Sequence, residues 1–245
     1  MKISVLSYNI EGITLEENFK KDNSLTQYII SKAKILREFL LSQNADIICI
    51  QEYTPILFSE LLGDVYQSVI QDRNAIFFKK NKFKFLSGKY KNRVGLTIKL
   101  DANGTIFYCS TDRLVPSSTG TNKRKKSIKA ADSIAAKKLF IYAVDTNMRK
   151  SEEKSLDNLT DCFKQATITN GFYTLDKKFN PYFFTDGDIE IRTRYDKIFI
   201  SKEFDCEQLD VLRPKSNLEL VHTTYPYGNL SDHYPLMAIL CLDLD

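Results

Sequence analysis

Residues 139–144 read Leu-Phe-Ile-Tyr-Ala-Val without a polar side chain, and the chain then changes character at once to Asp145, Thr146, Asn147, Met148 and Arg149. A strand with one wet face alternates apolar and polar residues, so an unbroken apolar run predicts a strand covered on both faces. Such a strand demands a layered molecule with material packed on either side of its sheet. Its end, where Asp145 and Asn147 sit one residue apart, is where a sheet displays chemistry.

The remaining chain supplies the other layers. Residues 2–8 read as a strand, 29–42 as an amphipathic helix, 46–50 as a second buried strand and 55–62 as a short helix. Strands then predominate, at 65–70, 75–80, 83–87, 94–100 and 105–110, with Asp101-Ala102-Asn103-Gly104 as a hairpin turn. Further strands fall near 139–144, 195–200, 207–212 and 236–242. Mixed sheets packed together with outer helices follow from this order. Residues 176–193, rich in Asp, Asn, Gly and Lys, read as a surface loop.

A chain of 245 residues with 43% hydrophobic and 27% charged residues has enough apolar matter for a sizeable core, which excludes a disordered chain. One domain spanning 1–245 is expected. No apolar run reaches membrane-spanning length, and the opening residues alternate as a strand rather than forming a signal peptide, so no membrane partner and an intracellular location are expected. The five cysteines are scattered and lack Cys-x-x-Cys spacing, which argues against a disulfide framework or a zinc site.

The net charge of +4 conceals clustering. Residues 79–93 hold seven Lys or Arg and no acid; residues 122–138 hold seven and one acid. Such clusters suit a polyanion, of which nucleic acid is the commonest, and Lys123 and Arg124 are candidate phosphate contacts. The alternative is a solvated face, since Phe83 and Phe85 alternate with Lys82 and Lys84 as on any half-buried strand. The second cluster reads as a helix with Ile128, Ala131 and Ala135 on one face.

Polar residues gather at the strand ends: Asn9 and Glu11 after the first, Gln51 and Glu52 after the second, Asp196 at a strand entry, and Asp232 and His233 before the last. Any one alone reads as a turn former or cap. Together they would make a hard-cation site with a proton-transfer residue.

In this order the set resembles the endonuclease/exonuclease/phosphatase superfamily. The matching residues are Asn9, the pair Gln51-Glu52, Asp145 with Asn147, Arg194-Tyr195-Asp196-Lys197-Ile198, and Ser231-Asp232-His233-Tyr234-Pro235. The resemblance implies a four-layer α/β sandwich of the DNase I type, with two mixed sheets face to face. Residues 8–12 (Tyr-Asn-Ile-Glu-Gly) and 144–149 (Val-Asp-Thr-Asn-Met-Arg), with the weaker Phe172-Tyr173-Thr174-Leu175-Asp176-Lys177, are most similar to the 5′-tyrosyl-DNA phosphodiesterase branch.

That branch implies a DNA-repair hydrolase acting on single-stranded or 5′-adducted DNA ends, with Mg²⁺ as cofactor and Mn²⁺ as a substitute. It implies Glu52 and Asp232 as metal residues, Asp145 as the group handling the attacking water with Asn9 and Asn147 orienting it, and His233, held by Asp196, as proton donor. Asp112, Ser118 and Arg149 are the implied substrate contacts. Two departures stand out. The superfamily's second histidine, which contacts the phosphate at the end of a strand, is matched by Asp112, so that a cation-capable donor reads as an anion. Val144 replaces the glycine that precedes the aspartate. His222 reads as a structural or surface histidine. Three readings fit: the tyrosyl-DNA phosphodiesterase, another nuclease or phosphatase of the superfamily, and a weakened descendant that binds nucleic acid or protein without turnover.

Overall fold

A computed structural model of the chain describes residues 1–58, 61–88, 94–153, 155–180, 191–225 and 228–242. In chain order the strands are β1 (Lys2–Asn9), β2 (Ile47–Gln51), β3 (Tyr66–Gln71), β4 (Asn74–Lys79), β5 (Lys84–Gly88), β6 (Leu96–Ala102), β7 (Thr105–Arg113) and β8 (Phe140–Asp145). They continue with β9 (Leu159–Asp161), β10 (Ile168–Asn170), β11 (Leu175–Asp176), β12 (Arg192–Thr193), β13 (Asp196–Ser201), β14 (Phe204–Val211) and β15 (Leu236–Leu242). The helices are α1 (Gly12–Lys21), α2 (Thr26–Gln43), α3 (Pro55–Phe58), α4 (Thr121–Ala135) and α5 (Cys162–Gln165).

Two mixed sheets face one another. One has the order β10-β14-β15-β1-β2-β4-β3 and the other β5-β6-β7-β8-β13-β9. Val5, Ile47, Ile76 and Phe78 of the first interdigitate with Ile98, Phe107, Ile141 and Ile198 of the second. On the outside of the first sheet, Leu6, Ile48 and Ile50 pack against Leu36 and Leu40 of α2. On the outside of the second, Phe140, Tyr142 and Val144 pack against Ile128, Ala131 and Ala135 of α4. The apolar run of β8 from Phe140 to Val144 is thereby explained: alternate residues serve two different cores, and each fully buried aliphatic or aromatic side chain contributes about 1.5–3 kcal/mol. The expected four-layer α/β sandwich is the observed fold.

The strand ends converge because of pairing direction. β1 and β2 run parallel with Asn9 opposite Gln51, and β7 and β8 run parallel with Arg113 opposite Asp145. β13 runs antiparallel to β8, so its first residue, Asp196, also meets Asp145. β15 is antiparallel to β1, so the segment preceding Leu236 arrives at the same rim.

Several local expectations shift. The Asn103-Gly104 turn has both residues at positive φ (53° and 90°), the two-residue hairpin geometry. The helix from Pro55 ends at Phe58, and β7 runs three residues past residue 110, to Arg113. Helix α1, absent from the sequence reading, begins directly after Glu11; a Cβ on Gly12 would lie 2.2 Å from the Glu52 carbonyl oxygen, so only glycine lets the two strand-end segments approach so closely. Residues 89–93 of the first basic cluster and 181–190 of the expected loop lie outside the described residues. Among the described residues no helix is long and apolar enough to cross a membrane, and all five cysteines are free thiols.

Candidate active site

The rim is organised by one buried amide. Asn9, 1% exposed, donates from Nδ2 to Glu52 Oε1 (3.1 Å) and to Asp145 Oδ2 (3.0 Å), tying the two sheets together, while its Oδ1 accepts from the Glu11 amide (2.9 Å). Glu52 sits at φ 56°, a left-handed turn straight after β2 that directs its carboxylate across the gap. Gln51 beside it is a cross-sheet tether, donating to Ser7 Oγ (3.1 Å) and Thr111 Oγ1 (2.8 Å).

Asp145 accepts from the Asn147 amide (3.0 Å) and from Asn147 Nδ2 (2.9 Å), and Asn147 also donates to the Leu114 carbonyl (3.0 Å). Burial pushes the Asp145 carboxyl up to about 6, against the lowering pull of His233, Arg113 and Asn9. Beside Asp145, His233 Nδ1 lies 2.7 Å from Asp196 Oδ2. Burial alone would lower its pKa, but Asp196, Asp232 and Asp145 outweigh that and hold the imidazole well above its ordinary value. His233 Nε2 lies 3.7 Å from Asp232 Oδ2. Thr174 supports the pair: its Oγ1 accepts from the Asp196 amide (3.1 Å), and its carbonyl accepts from the Tyr234 amide (2.7 Å).

Asp145, Asp196 and His233 present ligand atoms within 4.8 Å of one another. A protonated imidazole has no lone pair to give, so the carboxylates are the candidate cation ligands and His233 the candidate donor. Asp196 Oδ1 is buried without a hydrogen-bond partner. A set of carboxylate oxygens with an unspent acceptor fits a hard divalent cation.

Asn9, Glu52, Asp145, Asn147, Asp196, Asp232 and His233 therefore meet at one rim. The other candidates do not join them. Arg124, expected on DNA, is fully buried: it grips Glu152 with Nε (2.8 Å) and Nη2 (2.6 Å), and Nη1 donates to the Val115 and Ser117 carbonyls (2.6 and 2.7 Å). This corrects its assignment as a substrate contact; it clamps the loop that carries Ser118. Ser118 and Lys123 are exposed, and Arg149 is exposed with Nη1 3.6 Å from Glu152. His222 is half-buried and lies tilted beside Tyr28, ring centroids 6.2 Å apart.

Asp112 is the second correction. Thr111 of β7 points inward to Gln51, and alternation brings Arg113 to the same face, beside Glu52 and Asp145. The Asp112 carboxylate, expected at the substrate, is already engaged: it accepts from the Arg113 amide (2.9 Å) and, across to β4 of the facing sheet, from Asn74 Nδ2 (3.4 Å). Arg113 Nε lies 2.5 Å from Glu52 Oε1 and 3.7 Å from Asp145 Oδ2, so the strand end presents a cation rather than an anion. Placing the strand end at 110 hid this; alternation carried on from Thr111 would have found it. Val144 likewise faces α4 and adds no side chain to the rim. A second group the sequence reading missed is Lys32 of α2, fully buried, which donates to the Ile10 carbonyl (3.1 Å) behind the site. Burial lowers its pKa, while Glu11, Asp232 and Glu52 oppose the fall.

No protein-family model and no curated protein sequence matches the chain. Solved structures do. A TDP2 from D. rerio complexed with single-strand DNA product has a TM-score of 0.77 at 19% identity, covering 98% of this chain and 99% of that one. A truncated TDP2 from Caenorhabditis elegans gives 0.75 at 17%, covering 98% of each chain. A mannosyl-6-phosphatase from Bacteroides thetaiotaomicron gives 0.72 at 16%, covering 98% and 100%. The chain has the fold of these proteins.

Proposed function

We propose that the chain is a divalent-metal-dependent phosphodiesterase that hydrolyses 5′-tyrosyl DNA ends or closely related DNA-end esters, a DNA-repair type of activity. The single observation that carries the hydrolytic reading is Asn9, whose amide is shared between Glu52 and Asp145 at hydrogen-bond distance while the Asp196–His233 pair completes the same rim. The choice of substrate rests on the sequence motifs at 8–12 and 144–149, and the DNA product held by the TDP2 fold neighbour is in keeping with it.

Glu52 and Asp232, at the rim they share with the unpartnered Asp196 Oδ1, would hold Mg²⁺ or Mn²⁺, and such an ion would supply charge stabilisation at the phosphoryl oxygens. The chain's own groups do the rest. Asp145, oriented by Asn9 and Asn147 and raised to about 6, has the basicity to take a proton from an attacking water near neutral pH. His233 is held in one tautomer through Nδ1 by Asp196, leaving Nε2–H to donate to phosphate or leaving-group oxygen. A tyrosyl leaving group, of pKa about 10, departs more readily than an alkoxide and needs less proton donation. Ser118, Lys123 and Arg149 are exposed to solvent and fit contacts to the DNA strand. Five free thiols fit an intracellular setting.

The test is release of tyrosine from a 5′-phosphotyrosyl oligonucleotide, in Mg²⁺ and in chelator, beside plain, abasic and 3′-blocked oligonucleotides. Metal-dependent cleavage of the tyrosyl substrate alone supports the reading. Cleavage of the controls instead moves the chain to another hydrolase of this fold, and binding without cleavage leaves a binding module.

A further inference from the structure

Arg113 is placed where a structural arginine is not needed. Arg124, which serves only to hold this fold, is saturated: it makes a two-pronged bond to Glu152 and two more to carbonyls. Arg113 differs. Its Nε is buried, and although it lies 2.5 Å from Glu52 Oε1 it is not aligned for a hydrogen bond. It touches Glu52 and Asp145, the two carboxylates that Asn9 bridges, and its side chain is 31% exposed at the mouth of the cleft.

The charge balance explains what such a residue is for. Glu52, Asp145, Asp196 and Asp232, with buried Glu11, set five carboxylates against three cations, Arg113, His233 and Lys32, when all are ionised. The deficit of two is that of one divalent ion. A cation arriving at Glu52 competes with the guanidinium for the same Oε1 atom. Once displaced, the guanidinium has a planar fork of donors matched to phosphate oxygens, and it lies beside Asp145, from which a water would be launched.

We propose that Arg113 is the phosphate-gripping residue of this site and that it exchanges partners on loading, from Glu52 in the metal-free chain to a DNA-end phosphate when a divalent cation takes Glu52. The phosphate half of this rests on the phosphodiesterase reading; the competition at Glu52 does not.

Two neutral replacements, Arg113→Gln and Arg113→Met, test it, the second keeping more of the stem's packing. Mn²⁺ titrated into each protein by calorimetry reads the competition. Loss of a unit positive charge a few ångströms from the ion should tighten Mn²⁺ binding by about tenfold. Fluorescence anisotropy with 5′-phosphorylated and 5′-hydroxyl oligonucleotides in Mg²⁺ reads the grip. The wild type should prefer the 5′-phosphate, and the variants should lose that preference.

A damaged fold weakens both kinds of binding, so tighter metal together with weaker phosphate is a signature that damage does not imitate. Mn²⁺ affinity unchanged or weaker in both variants overturns the proposal, as does a 5′-phosphate preference equal to wild type's or a wild type without one. A wild type that leaves the tyrosyl ester intact while both binding results hold sinks the hydrolase reading and leaves the role of Arg113 standing.

Discussion

Replacing Asp112 by Asn should stabilise the protein, and only above mildly acidic pH. Its carboxyl is pushed up from 3.8 to about 6, first by burial and then by Asp145 and Asp72, against hydrogen bonds from the Arg113 amide and Asn74. A carboxyl whose folded pKa lies above its unfolded value penalises the folded state once ionised. The penalty is absent below the unfolded value of 3.8, grows as pH rises toward about 6, and is complete above it. A shift of about 2 units sets a ceiling near 3 kcal/mol, and partial exposure of the side chain reduces the expected gain to about 1–2 kcal/mol. Asparagine keeps Oδ1 as the acceptor for both donors and removes the charge. At this chain length the gain corresponds to a rise of about 2–8 °C in Tm. Melting curves by circular dichroism, run for both proteins between pH 4 and pH 8, should show coincident midpoints at the acid end and a gap that opens through the middle of the range. A gap that is constant with pH, or a variant that melts lower near neutrality, would refute the buried-charge argument. Because asparagine keeps both hydrogen bonds, the rim should hold its geometry and turnover should survive the change.

Glu52→Gln should abolish metal-dependent cleavage and weaken Mn²⁺ binding in calorimetry with little change in melting, because the residue sits at a strand end; unaltered turnover would remove Glu52 from the metal site. Arg124→Ala should destabilise by about 3–5 kcal/mol in urea unfolding, since it strands Glu152 and the carbonyls of Val115 and Ser117 without their donor. A loss below about 1 kcal/mol, the range of surface pairs, would show the clamp to be dispensable. The exposed lysines behave differently: Lys123, Lys125 and Lys126 changed together to Ala should flatten the salt dependence of single-stranded DNA binding with no loss of stability, each phosphate contact contributing about 0.7 to the slope. An identical slope would return the cluster to a solvated face.

Much of the site is legible in the linear chain because it is written at strand ends. β8 announces itself by five apolar residues serving two cores, and Asp145, which ends it, and Asn147 come at once. Asn9, Glu52, Asp196 and His233 each sit within three residues of a strand whose apolar pattern is local. A local pattern needs no knowledge of partners. The spacing of Arg124, Ile128, Ala131 and Ala135 also follows one helical stripe, so the burial of Arg124 was implicit in the sequence. What was missing was Glu152, twenty-eight residues away, without which a buried guanidinium is not a sensible expectation.

The sequence by itself determined the layered α/β class, the order of the elements and the residues that meet at the rim, since hydrophobic period and strand-end chemistry are properties of a few consecutive residues. Only the tertiary structure decided which side chain closes the end of β7. Side chains alternate with a period of two, so a step of one residue separates an anion at Asp112 from a cation at Arg113. The parallel register that sets Arg113 opposite Asp145, together with Gln51 reaching across to Thr111, settles that step, and both are contacts between segments thirty to sixty residues apart. The same holds for Lys32, whose charge lies buried behind the rim because α2 packs on the outer face of the first sheet. Long-range register and layer packing set the sign of the charge that β7 brings to the rim.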